Sequence, residues 1–164
     1  SPGNALIIKE ASHMLKNIPS VFSPELLAAV YRMGHGDTLV LADGNFPSAS
    51  VAQQNGASII RADGHGIPEL LCAILQFMPL DTYVEHPVIY MEKSARDAEL
   101  ELPILSEYEE IFQQNGYEVR DIAEFQERFT FYRQAAHACY IVQTGECSQY
   151  ANIILQKGVV KEAP

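Results

Sequence analysis

Apolar residues along this chain recur first at helical and then at strand spacing, and the alternation of the two predicts the fold. Leu26, Leu27, Val30 and Met33 make one stripe at helical period. Ser23 is an N-cap type, Pro24 fits the first helical position, Glu25 suits the positive end of the dipole, and Gly34 stops the helix. A short apolar strand at 38–42 follows, then a Gly/Pro-rich loop through Asp43-Gly44-Asn45-Phe46-Pro47. A second strand at 58–62 runs into Asp63-Gly64-His65-Gly66. Pro68 then opens a helix that buries Leu70, Leu71, Ile74, Leu75 and Met78. Further on, the pattern predicts a strand at 88–92, a helix at 103–115 stopped by Gly116, a strand at 117–122 and a helix at 124–137. Two strands, 138–144 and 151–156, close the chain, near enough to each other for a hairpin. The expected architecture is α/β: a three-layer sandwich in which helices cover a mixed, mainly buried sheet.

With 164 residues the chain supports one domain with a sizeable core. Residues 1–13 are read as an added extension, because Met14 leads directly into the first helix signal and resembles a natural start; residues 14–164 are the domain. No apolar run is long enough to span a bilayer, so no membrane partner is expected. A net charge of −10 without any basic cluster repels phosphate backbones, so nucleic acid is not expected as a partner either. Cys72, Cys139 and Cys147 are odd in number and show no paired spacing, which argues against a disulfide framework or zinc site and fits a reducing cytoplasm.

The densest chemistry lies at Met33-Gly34-His35-Gly36-Asp37. Flanking glycines let a substrate approach the imidazole closely, and histidine titrates nearest neutrality. Asp43 follows one short strand later and Asp63 stands in a parallel Ala-Asp-Gly context; Asp63 reads as turn chemistry, Asp43 as functional. His65 reads as a loop histidine. The remaining histidines show no metal-ligand spacing, and Gly34-x-Gly36 lacks the third glycine of a dinucleotide loop. Arg128-Phe129-Thr130-Phe131-Tyr132 reads first as helix packing, with Phe125, Phe129 and Tyr132 at helical spacing. An arginine beside aromatic rings is also a clamp for a polyhydroxylated ligand. Tyr150-Ala151-Asn152 places a phenol and an amide around a small residue, and such neutral groups suit an uncharged sugar.

These motifs together resemble the ribose pyranase/fucose mutarotase family, and most closely its L-fucose branch. The match runs through Ser23-Pro24-Glu25-Leu26-Leu27, Met33-Gly34-His35-Gly36-Asp37, Ala42-Asp43 with Asn45-Phe46-Pro47, and Ile60-Arg61-Ala62-Asp63-Gly64. It continues through Leu80-Asp81-Thr82-Tyr83, Arg128-Phe129-x-Phe131-Tyr132, Thr144-Gly145-Glu146 and Tyr150-Ala151-Asn152-Ile153-Ile154-Leu155. The resemblance implies a catalytic histidine at His35 and sugar contacts from Asp43, Arg128, Tyr150, Ala151 and Asn152. It also implies no metal, no organic cofactor, and a homo-oligomeric ring, often a decamer, whose subunits complete one another's sites. Two positions depart from the pattern: Asn45 stands where fucose-branch relatives often carry histidine, and Ala151 replaces a common glycine.

Anomer interconversion moves one proton off the anomeric hydroxyl and another onto the ring oxygen, so an acid/base pair and a hydroxyl-binding pocket suffice. In this reading His35 is the main proton carrier and Tyr150 its partner acid or relay, with either able to serve the ring oxygen. Asp43 orients His35 or holds a hydroxyl, Arg128 holds sugar oxygens and Asn152 fixes orientation. Arg128, Phe131, Tyr132 and Tyr150 are expected to frame an apolar wall for the C6 methyl of L-fucose. D-Ribose pyranase activity and a non-catalytic sugar-binding module are the alternative readings.

Overall fold

In the computed structural model, which describes residues 14–162, a six-stranded sheet runs in the order 58–62, 140–144, 38–42, 153–156, 88–91, 123–126. The expected extension at 1–13 falls outside the described residues. The first helix, α1 (Pro24–Arg32), begins where Ser23 Oγ accepts from the Leu26 N–H at 3.1 Å. At its other end Lys157 Nζ donates to the carbonyls of Val30 (3.0 Å) and Met33 (2.6 Å), placing a cation at the negative end of the dipole.

β1 (Thr38–Ala42) occupies the middle of the sheet, parallel to β5 (Tyr140–Thr144) and antiparallel to β6 (Ile153–Gln156). β2 (Ser58–Ala62) pairs in parallel with β5, and β3 (Val88–Met91) pairs in parallel with β4 (Ala123–Gln126) and antiparallel with β6. Five strands therefore point one way and β6 alone points back. One edge of the sheet gathers the carboxyl ends of five strands and the amino end of β6.

Side-chain alternation then builds the layers. Leu39 and Leu41 of β1, Val142 of β5, Val88 and Tyr90 of β3, and Ile153 and Leu155 of β6 face one core. That core is covered by α1, α3 (Ile67–Leu75) and α4 (Ile104–Gln114). Val40, Ala42, Ile141, Ile89, Met91 and Ile154 face the opposite core, covered by α2 (Ser48–Asn55) and α6 (Arg128–Ala136). The three-layer sandwich with a mixed, buried sheet is what the hydrophobic pattern predicts.

Three local expectations fail. The last two strands form no hairpin, because β1 lies between them. After β5 the chain crosses the carboxyl end of β1, held by Thr144 Oγ1 donating to the Ala42 carbonyl (2.7 Å) and by the Gly44 N–H donating to the Glu146 carbonyl (2.8 Å). It then descends on the far side as β6. The crossing requires glycine at 145, where a Cβ would stand 2.0 Å from the Asp63 carbonyl oxygen. The segment 117–122 is no strand either: α5 (Val119–Ile122) is one helical turn, and the pairing with β3 falls on Ala123–Gln126. The last helix consequently starts at Arg128, where the Glu127 carboxylate accepts from the N–H groups of Phe129 (3.0 Å) and Thr130 (3.1 Å). Phe125 thus sits on a strand and not on the helical stripe with Phe129 and Tyr132. Finally, α2 has a polar sequence with a weak apolar stripe, which is why its periodicity predicts no helix; its Val51 and Ala52 nonetheless pack into the second core.

Candidate active site

The strand directions sort the candidate residues into two groups at opposite ends of the sheet. Asp43 follows β1, Arg128 follows β4, and Tyr150, Ala151 and Asn152 precede β6, so all five share the carboxyl-end edge, where open α/β sheets bind ligands. His35 precedes β1 and lies at the other edge. The five-residue strand between His35 and Asp43 spans roughly 16 Å. Asp43 of one chain therefore does not orient His35 of the same chain.

At the carboxyl-end edge, Asp43 is buried. Its backbone N–H donates to Asn152 Oδ1 (2.7 Å), its Oδ1 accepts from the Asn45 N–H (3.0 Å), and its carbonyl accepts from Gln143 Nε2 (2.8 Å). Gln143 is itself held by Ser48 Oγ. Burial pushes the Asp43 carboxyl above its ordinary range; the amides of Asn45, Ala151 and Phe46 oppose that rise and the nearby Glu146 carboxylate adds to it. Asn152 spends its amide oxygen on Asp43, which leaves the Nδ2 donor for a ligand. The Ala151 carbonyl accepts from Tyr108 Oη at 2.7 Å, anchoring the start of β6 to α4 in the first core.

Tyr150 sits at φ +54°, a left-handed conformation that costs a non-glycine residue on the order of 1–3 kcal/mol and that clusters at functional sites. The strain turns its ring toward the loop after β3. There its hydroxyl donates to Asp97 Oδ2 (2.5 Å) and lies 3.2 Å from Ser94 Oγ. Arg128 stacks its guanidinium over Phe129 (5.2 Å) and Tyr132 (5.5 Å), and Tyr132 meets Phe46 edge to face at 5.4 Å. Among the described residues no carboxylate pairs with Arg128, so its N–H fork remains available. Phe131, expected in the wall, is fully enclosed in the second core, because its position on α6 faces the sheet. Tyr132 and Tyr150, packed at the margin of that core, stay partly exposed, whereas Phe46 is buried beneath Tyr132.

At the opposite edge, His35 is exposed, with its Nε2 3.0 Å from Oδ1 of the buried Asp81 and its ring 5.0 Å from that of Tyr83. Asp81 also accepts from the Tyr83 N–H (3.0 Å) and from Gln156 Nε2 (3.0 Å). The Tyr83 amide foremost, then His35 and Gln156, hold the Asp81 carboxyl below its usual range, so it stays ionised and faces His35 as an acceptor. The loop is stitched to the chain after β6: Gly36 N–H donates to the Lys157 carbonyl (2.8 Å) and Lys157 N–H to the Asp37 carbonyl (2.9 Å). Gly158 lets the Leu80–Asp81 segment pass, since a Cβ there would stand 2.5 Å from the Leu80 carbonyl oxygen.

Sequence reasoning assigns no role to Asp81, Ser94 or Asp97. Asp81 lies within the Leu80-Asp81-Thr82-Tyr83 motif, but 46 positions separate it from His35 and no local pattern joins them. Elsewhere the plainer readings hold. Asp63 pairs with Arg61 at the surface, and His65 Nδ1 lies 2.8 Å from Glu69 at the start of α3.

The model of the RbsD / FucU transport protein family matches residues 16–160. The chain belongs to the RbsD/FucU family. It is 51% identical over 152 residues to the fucose mutarotase of Homo sapiens, covering 92% of this chain and 97% of that protein. To the L-fucose mutarotase of Histophilus somni it is 40% identical over 146 residues, 89% of this chain and 97% of the other. Among solved structures, the fucose mutarotase of Streptococcus pneumoniae in complex with L-fucose superposes with a TM-score of 0.83 at 44% identity, covering 90% of this chain and all of that one. Bacillus subtilis RbsD, complexed with D-ribose, shares the fold at a TM-score of 0.66 and 21% identity. Within this chain the candidate residues stand divided between the two ends of one sheet.

Proposed function

We propose that this chain is an L-fucose mutarotase that interconverts the α and β anomers, and that its working site forms between copies of the chain. The observation that carries the reading is the pair of half-sites. One edge offers neutral and cationic hydroxyl-binding groups beside an apolar surface. The other offers an accessible imidazole backed by a buried carboxylate. Neither half acts on a sugar alone, and roughly 16 Å of strand keeps them apart within one chain.

In the assembled site Asp43, Arg128 and Asn152 bind sugar oxygens, while Tyr132 and Tyr150 cover the C6 methyl. Asp43 therefore serves as the hydroxyl holder, and Asp81 takes the orienting role toward His35. His35 of a second copy exchanges a proton with the sugar. The C1–O5 bond opens to the aldehyde, C1–C2 rotates, and closure on the other face completes the exchange. A closed homo-oligomer, a ring in the simplest case, supplies the second copy. The free thiols fit a cytoplasmic setting. Among the described residues no helix is long and apolar enough to cross a membrane.

The test is a comparison of anomer exchange by NMR for L-fucose, L-galactose and D-ribose in one buffer. L-Fucose should lead. L-Galactose, which adds a C6 hydroxyl against the apolar surface, should follow within about 1–3 kcal/mol of activation free energy. D-Ribose, which lacks C6, should be slowest. Equal or faster exchange on D-ribose would replace fucose by ribose in this proposal, and binding without any exchange would make the chain a sugar-binding module.

A further inference from the structure

We propose that Asp97 is a positioning residue for the reaction: it takes the phenolic proton of Tyr150 as a hydrogen bond, so that Tyr150 meets the sugar as an acceptor. This rests on the mutarotase reading for its catalytic consequence, although the hydrogen bond itself does not.

The geometry is built from three segments. Asp97 ends a single 3-10 turn (Ala95–Asp97) just past β3. The turn is clamped from behind by Lys93, whose Nζ donates to the carbonyls of Ala98 (3.1 Å) and Leu100 (2.8 Å). From the other side Tyr150 leans in from its left-handed backbone, and its Oη stands 2.5 Å from Asp97 Oδ2. The Ser94 N–H donates to the same phenolic oxygen at 3.3 Å, with Ser94 Oγ 3.2 Å from the phenol and 3.5 Å from Asp97 Oδ2.

A phenol has one proton and two lone pairs. The ionised carboxylate is the strongest acceptor in reach and takes the proton, and the Ser94 N–H occupies one lone pair. The remaining lone pair is what Tyr150 can offer a ligand, and it accepts from a sugar hydroxyl. The partner-acid role that the sequence suggests for Tyr150 is thereby reversed.

The proton transfers balance. As the anomeric O1–H gives its proton to Tyr150 Oη, the phenol passes its own proton to Asp97 Oδ2 and stays neutral. The electron pair of the O1–H bond becomes the C1=O1 π bond, the C1–O5 pair moves onto O5, and O5 takes a proton from His35 of the second copy. Ring closure on the other face runs these transfers backward and restores every group.

The experiment compares Asp97→Asn, Asp97→Ser and Asp97→Glu with Tyr150→Phe and the Asp97→Asn/Tyr150→Phe double variant in the full chain. Asp97→Asn and Asp97→Ser should lower kcat for L-fucose anomer exchange by about 10²-fold, the lower end of what a positioned acid or base contributes. KM should move far less, and Asp97→Glu should recover part of the rate. The double variant should be no slower than Tyr150→Phe alone, since both remove one coupled unit. Independently of activity, ¹H NMR of the free wild-type protein should show one hydroxyl proton downfield of the amides, absent from Asp97→Asn and from Tyr150→Phe. Wild-type kcat in both Asp97→Asn and Asp97→Ser, or effects that multiply with Tyr150→Phe, would overturn the positioning role. If the wild-type protein exchanges no sugar, the mutarotase reading fails, and the downfield resonance still decides the Tyr150–Asp97 bond.

Discussion

Single side chains carry the acid/base work, and their settings differ in ways that can be measured. His35→Gln should leave a folded protein that binds sugar and loses about 10²–10⁴ of its exchange rate. Line-shape or exchange spectroscopy on the H1 resonances of the two L-fucose anomers reads this directly, and wild-type exchange would remove His35 from the mechanism. Asp43 and Asp81 sit on opposite sides of the ordinary carboxyl value. Burial raises Asp43, so the native state holds its proton more tightly than the unfolded chain. Stability attributable to Asp43 therefore falls as pH rises from the ordinary carboxyl value through the raised one, and is flat above it. For Asp81 the sign is opposite: its contribution is present above the unfolded value and is lost as pH falls through the depressed one. Thermal midpoints of wild type and Asp43→Asn across mildly acidic pH should converge or diverge with that sign. A difference that stays constant with pH would contradict the raised value.

Elements place those side chains, and the decisive placements occur where backbone passes close to backbone. Gly158 lies just past β6 and against the Leu80–Asp81 segment that presents Asp81 to His35. Gly158→Ala puts a Cβ 2.5 Å from the Leu80 carbonyl oxygen and 2.9 Å from the Asp81 Cα, both rigid neighbours. The expected cost is about 1–3 kcal/mol of stability together with slowed anomer exchange, as the segment shifts away from His35. Denaturant unfolding and exchange NMR on one preparation check both. Full stability with full activity would mean that the segment yields without moving the carboxylate. Ser23→Ala, which removes the cap of α1 and no contact to a candidate site residue, should cost about 1 kcal/mol and leave exchange untouched.

At the scale of the whole molecule, the proposed division of the site between opposite ends of one sheet predicts assembly. Light scattering should return a mass several times the 18.2 kDa of one chain. A sharper test mixes two inactive proteins, His35→Gln and Asn152→Ala, under conditions of subunit exchange. Sites built from an intact half of each should restore a fraction of the activity. A fully active monomer at micromolar concentration, or no recovery after verified mixing, would reject a site shared between copies.

Local signals in the chain determined a good part of this protein. The cap at Ser23, the stop after Met33, the apolar alternation of β1, β3, β5 and β6, and the stripes of α1, α3 and α4 are consequences of side-chain periodicity and turn chemistry, which act over a few residues. The ordered motifs from Ser23 to Leu155 likewise pointed to the family. Tertiary structure decided the rest. The start of α6 depended on β4 pairing with β3, which removed residues 123–126 from a helix that their sequence permits. The absence of a terminal hairpin depended on β1 claiming both β5 and β6. Above all, strand direction, a property of the whole sheet, put Arg128, Tyr150 and Asn152 at the end that holds Asp43 and left His35 at the other. The same sheet brought Asp81 to His35 and Asp97 to Tyr150 from more than forty positions away, through contacts that sequence spacing does not encode.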